Sequence, residues 1–71
     1  MIPIKDKIYR IHYIDEKDSA LSYIGKGAFT GYTETTEEGC LFHFVIEKIP
    51  ENGYTCCALF SEKDIIEQIY K

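Results

Sequence analysis

The chain has no tryptophan, a single arginine, two prolines and three cysteines. It has no apolar run of signal-peptide or membrane-spanning length. Each shortage excludes something. With 8 basic residues scattered singly against 12 acidic ones, the net charge of −4 argues against the basic footprint from which nucleic-acid affinity or adhesion to an anionic membrane starts. The opening MIPIKDKIYR lacks the pattern of a secretory leader, so a cytoplasmic location is expected. An odd cysteine count at irregular spacing is a poor disulfide framework, which agrees with that compartment. Repeats, low-complexity tracts and linkers are also lacking.

What is present suits a packed core. Of 71 residues, 45% are hydrophobic, and six tyrosines and four phenylalanines supply the aromatic bulk. That composition excludes the disordered class. Residues 1–71 are expected to form one small domain, near the lower size limit for folding without staples. Seven lysines to one arginine, with eleven isoleucines and three alanines, is the bias of an AT-rich coding sequence. A low-GC bacterium or its phage is the source this suggests.

Turn signals divide the chain. Lys7–Ile14 alternates, with Tyr9, Ile11 and Tyr13 on one side and Arg10 and His12 on the other, as a half-buried strand does. Leu21–Glu34 reads as a long strand in which Gly25, Gly27 and Gly31 predict bulging or sharp coiling. Cys40–Ile49 is the strongest strand signal, and Pro50-Glu51-Asn52-Gly53 is a turn returning the chain into Tyr54–Phe60. Ser61 and Asp64 have capping-box spacing, and Ile65, Ile66, Ile69 and Tyr70 form a stripe at helical spacing, predicting a short helix over 62–70. The expected fold is a mainly β, antiparallel, four-stranded meander with one short C-terminal α-helix. Bending at the glycines would coil it into a half-open SH3-like barrel, with an OB-like or flat sheet as alternatives. Strands three and four carry apolar side chains on both faces, among them Leu41, Val45, Cys57 and Leu59, so a helix, a second copy or a partner is needed to cover the outer one.

Chemistry-bearing patterns are sparse. Gly25-Lys26-Gly27-Ala28-Phe29-Thr30-Gly31 has neither the spacing nor the following helix of a dinucleotide loop, and the Gly-Lys-Ser/Thr of a P-loop is absent. The same stretch is one aromatic short of an RNA-binding submotif, which leaves base stacking on Tyr23, Phe29 and Tyr32 as an alternative role. Cys40, His43, Cys56 and Cys57 are potential zinc ligands, but their spacing on strands sends them to opposite faces, and buried thiols acting as small hydrophobes are the expected reading. His43 beside Cys56 or Cys57 has no evident oxyanion hole or cleft for thiol catalysis. No catalytic residue, metal site or cofactor is therefore predicted. The acids form two loop clusters, Asp15, Glu16 and Asp18, then Glu34, Glu37 and Glu38, next to Tyr32. Those seven residues are the candidate partner-binding set. The function expected is a non-catalytic protein-binding module that docks on a larger protein, of bacterial or phage accessory type, regulating or inhibiting it as a host-defence inhibitor would. The alternatives are a small-ligand or single-strand binder using Gly25–Tyr32 and a structural homo-oligomer.

Overall fold

A computed structural model describes the backbone of residues 1–49 and 54–70 and the side chains of 1–46 and 57–70. Five antiparallel strands form one sheet: β1 (Ile8–Tyr13), β2 (Tyr23–Thr36), β3 (Gly39–Ile49), β4 (Tyr54–Ser61) and β5 (Ile65–Ile69). Their order across the sheet is β4-β3-β2-β1-β5, and the sheet is not closed. The expected turn at Pro50–Gly53 lies outside the described residues.

The inner face follows from alternation. Tyr9 and Ile11 on β1, Phe29 on β2, Phe42, Phe44 and Ile46 on β3, Phe60 on β4 and Ile65 on β5 form the buried core. Gly27 stands opposite Tyr9, and Gly25 opposite Ile11. A Cβ on Gly27 would meet Ile46 Cγ2 at 3.0 Å and Phe44 Cδ2 at 3.2 Å. The missing side chain is what lets β3 aromatics cross β2 onto Tyr9. Rings then chain through the core: Tyr9 to Phe44 at 6.0 Å, Phe44 to Phe29 at 5.5 Å and Phe44 to Phe60 at 6.0 Å. Such offset and edge contacts add about 0.5–1.5 kcal/mol per pair beyond area burial.

The bulge expected from the glycines is at Gly31. Between the pairs Phe29–Phe44 and Thr33–Phe42, β2 carries three residues where β3 carries one. Gly31 takes φ +92° there, a region that a β-carbon makes costly. The β2–β3 connection is tighter than the predicted loop: Thr36 pairs Gly39, leaving Glu37 and Glu38 at the hairpin tip.

The C-terminal helix is not there, and the strand count is five rather than four. Ser61 and Asp64 do cap, with the Asp64 carboxylate accepting from the Ser61 amide at 3.2 Å and its hydroxyl at 2.9 Å. What they cap is one 3-10 turn, Glu62–Asp64. The chain then extends as β5 along β1, with Ile65 opposite Ile11, Glu67 opposite Arg10 and Ile69 opposite Ile8. A register shift at Arg10/Ile11 leaves Ile66 bulged out and half exposed. The apparent stripe is thus split among an inward, a bulged and an outward position. Three β-branched residues beside an open edge of β1 gain more from pairing than from an isolated two-turn helix.

Candidate functional site: an acid-rimmed cleft at the open side of the sheet

A cleft of about 1180 Å³ lies against β4, β3 and the start of β2. Its apolar wall is built by Tyr13, Leu21, Tyr23, Ala58 and Phe60. Phe60 anchors that wall, with Tyr13 at 5.9 Å and Tyr23 at 6.0 Å between ring centres. Leu21 is 53% exposed, a large apolar side chain held out by a 3-10 turn over Ser19–Leu21. Glu37, Glu38, Glu62 and Asp64 lie on the rim with Lys63 as the basic member of the lining. Glu62 accepts from the Met1 amino group at 2.7 Å, and Asp64 is held in its cap. Glu37 and Glu38 are exposed at the hairpin tip and stand in no ion pair found among the described residues.

The loop between β1 and β2 is held by Asp15. Its Oδ1 accepts from the amides of Lys17 and Asp18, both at 2.9 Å, and its Oδ2 accepts from the Tyr13 hydroxyl at 2.9 Å. The Asp15 amide in turn donates to Ser22 Oγ at 2.8 Å. The Asp18 amide, the Tyr13 hydroxyl and the Lys17 amide hold the Asp15 carboxyl below its ordinary range. The same hydrogen bond to Asp15 pushes the Tyr13 phenol up. Asp18 caps the 3-10 turn through Ala20 at 3.0 Å. Two of the first cluster's three acids therefore shape the loop, and Glu16 is left exposed.

The predicted set divides. Glu37 and Glu38 reach the cleft; Glu34, exposed on β2, and Tyr32 do not line it. Tyr32 is exposed at the bulge, edge-on to His43 at 5.8 Å. Of the proposed stacking aromatics, Phe29 is a core residue, while Tyr23 donates its hydroxyl to the Lys26 carbonyl at 2.6 Å. The cysteine reading needs correction: Cys40 and Cys57 are exposed free thiols, not buried hydrophobes. His43 faces Leu59, not Cys57, in the β3–β4 ladder, and the Thr30 hydroxyl lies 2.8 Å from its Nδ1. No group of three or more His, Cys, Asp or Glu able to hold a metal ion occurs among the described residues. None of their helices is long and apolar enough to cross a membrane.

Sequence reasoning missed Leu21, Tyr13 and Phe60 as site residues, and named Tyr23 only for base stacking, because their convergence is non-local. Leu21 alone had a local signal, an apolar residue directly after a polar loop. No protein-family model, curated protein or solved structure matches the chain.

Proposed function

We propose that this chain is a non-catalytic protein-binding module, a half-open SH3-like barrel that acts in the cytoplasm by docking on a larger protein and regulating or inhibiting it. The observation that carries the reading is the cleft: an aromatic and aliphatic wall that is concave, open and edged by exposed acids at the hairpin tip. An exposed apolar patch rimmed by polar residues marks a surface that another molecule covers, a protein partner among them. The long β2 shared by both wings of the sheet and the 3-10 turn joining the outer strands support the barrel. Free exposed thiols at Cys40 and Cys57 support a reducing compartment.

The test is comparative affinity capture. The parent chain, Leu21→Asp and Ile24→Asp are used as baits in extracts of a low-GC bacterium, with and without phage. Both replaced residues are exposed, so both variants should fold. A protein retained by the parent and Ile24→Asp but lost from Leu21→Asp supports the cleft. Equal capture by all three, or tight binding of single-stranded DNA or RNA, sinks it.

A further inference from the structure

Strand β4 is an edge strand, and an unusual one. Sheet edges present a row of backbone donors and acceptors, and soluble proteins blunt them with charge, proline or cover. The other edge is blunted: β5 is five residues long, carries Glu67, and that glutamate is tied to Arg10 Nε at 2.9 Å. β4 runs eight residues, YTCCALFS, with no charge and no proline. Its inward residues Ala58 and Phe60 line the cleft, and Cys57 and Leu59 beside them are exposed. The cleft therefore runs along the open edge of a strand rather than sitting in a closed pocket.

We infer that the cleft takes its partner as an extended segment, which adds to β4 as a sixth strand with its own backbone. The inference rests on the cleft being the protein-binding site. Cys57–Ser61 are the part of β4 that lines the cleft, and five residues of strand span roughly 17 Å, so the segment is at least about that long. Side chains alternate, so every second residue of the guest lies over Phe60, Tyr13 and Tyr23 and is apolar there. Glu37 and Glu38 stand on the rim in no ion pair among the described residues, so the guest is basic rather than acidic where it passes the hairpin tip. This charge argument favours a foreign segment over a second copy, because each copy carries −4 and brings the same two glutamates.

The probe is a nine-residue acetylated and amidated peptide of alternating valine and lysine, at millimolar concentration. Its counterparts are a valine–glutamate peptide and two versions of the lysine peptide N-methylated at every second residue, one for each backbone edge. Amide hydrogen exchange is followed residue by residue. The lysine peptide should slow exchange in Cys57–Ser61 and leave Ile65–Ile69 unchanged. At least one N-methylated version should bind tenfold or more weakly, and Glu37→Lys with Glu38→Lys should shift preference to the glutamate peptide. Binding of both N-methylated versions as tight as that of the unmethylated lysine peptide, with protection at Leu21 and Phe60, overturns strand addition while the cleft stands as the site. Absence of shifts at Leu21, Tyr23 and Phe60 with every peptide overturns both readings. Concentration-dependent protection of β4 without peptide, with Cys57 cross-linking between copies on oxidation, overturns the foreign segment and makes a second copy the occupant.

Discussion

At the scale of single residues, two positions illustrate how much a side chain, or its absence, decides. Asp15 fixes the β1–β2 loop by accepting three hydrogen bonds, and its carboxyl titrates below the ordinary 3.8 as a result. A carboxyl with a lowered folded-state pKa stabilises the fold above its unfolded value, and that contribution is lost as pH falls through the folded one. Asp15→Asn should thus melt below the parent at pH 6 to 7, with the gap closing as the pH falls below about 4, the ordinary range of a free aspartate. Tyr13 works at the other end. Its raised phenol favours the neutral form when folded, so stability from that bond holds below pH 10.0 and is lost above it. Thermal melts across the pH range check both; a parent–variant gap that stays constant down to pH 2 would show that Asp15 is not titrating in the fold. Gly27 is the opposite case. Gly27→Ala places a methyl between Ile46 and Phe44 at 3.0 and 3.2 Å, and overpacking of that kind costs about 1–3 kcal/mol. Denaturant titration should show the lowered midpoint, and a variant as stable as the parent would mean that β3 moves aside freely.

At the scale of elements, the contrast is between strands that local pattern determines and one that the rest of the sheet determines. β1 was legible because Tyr9, Ile11 and Tyr13 alternate with Arg10 and His12, and β3 and β4 were legible as strands from their apolar runs Cys40–Ile46 and Tyr54–Phe60. β5 was not. Ile65, Ile66 and Ile69 fit a helical stripe as well as a bulged strand, and the deciding factor is the free edge of β1, a partner 54 or more residues earlier in the chain. Only the capping pair Ser61–Asp64 was read correctly there, since one 3-10 turn and an α-helix begin alike. Substitution separates the two readings. Ile65→Ala should cost about 2–5 kcal/mol, because Ile65 is buried against Ile11. Ile66→Ala should stay within about 0.5 kcal/mol, because that side chain is bulged outward. Two similar losses would restore the docked helix. The cleft was even less legible, since its wall and rim come from residues 13–23, 37–38 and 58–64, and no periodicity within one segment encodes their meeting.

At the scale of the whole molecule, the fold is a thin slab, 34 × 33 × 18 Å, with charge and apolar surface set apart upon it. An apolar row crosses the outer face through Ile69, Ile8, Ala28, Val45 and Cys57, one residue from each strand. The helix expected to cover part of that face is replaced by β5, and Val45 and Leu59 are 38% exposed. Of the acids on the cleft, Glu37, Glu38 and Glu62 are exposed, and Glu62 is held by the Met1 amino group, which leaves Glu37 and Glu38 as the exposed pair at the hairpin tip. Exposed charge acts mainly during approach, through a field that salt screens within about 8–10 Å. Desolvated apolar contact acts after docking, through the lifetime of the complex. The two contributions can therefore be separated kinetically against the captured partner. Glu37→Gln with Glu38→Gln should slow association several-fold at low salt, leave dissociation nearly unchanged and flatten the salt dependence. Leu21→Ala should leave association alone and speed dissociation tenfold or more, a loss of about 1.4 kcal/mol in affinity. Tyr32→Ala, outside the lining of the cleft, should change neither rate. Surface plasmon resonance at two ionic strengths gives all three, and a Tyr32→Ala effect larger than that of Leu21→Ala would move the contact surface from the cleft to the bulge beside His43.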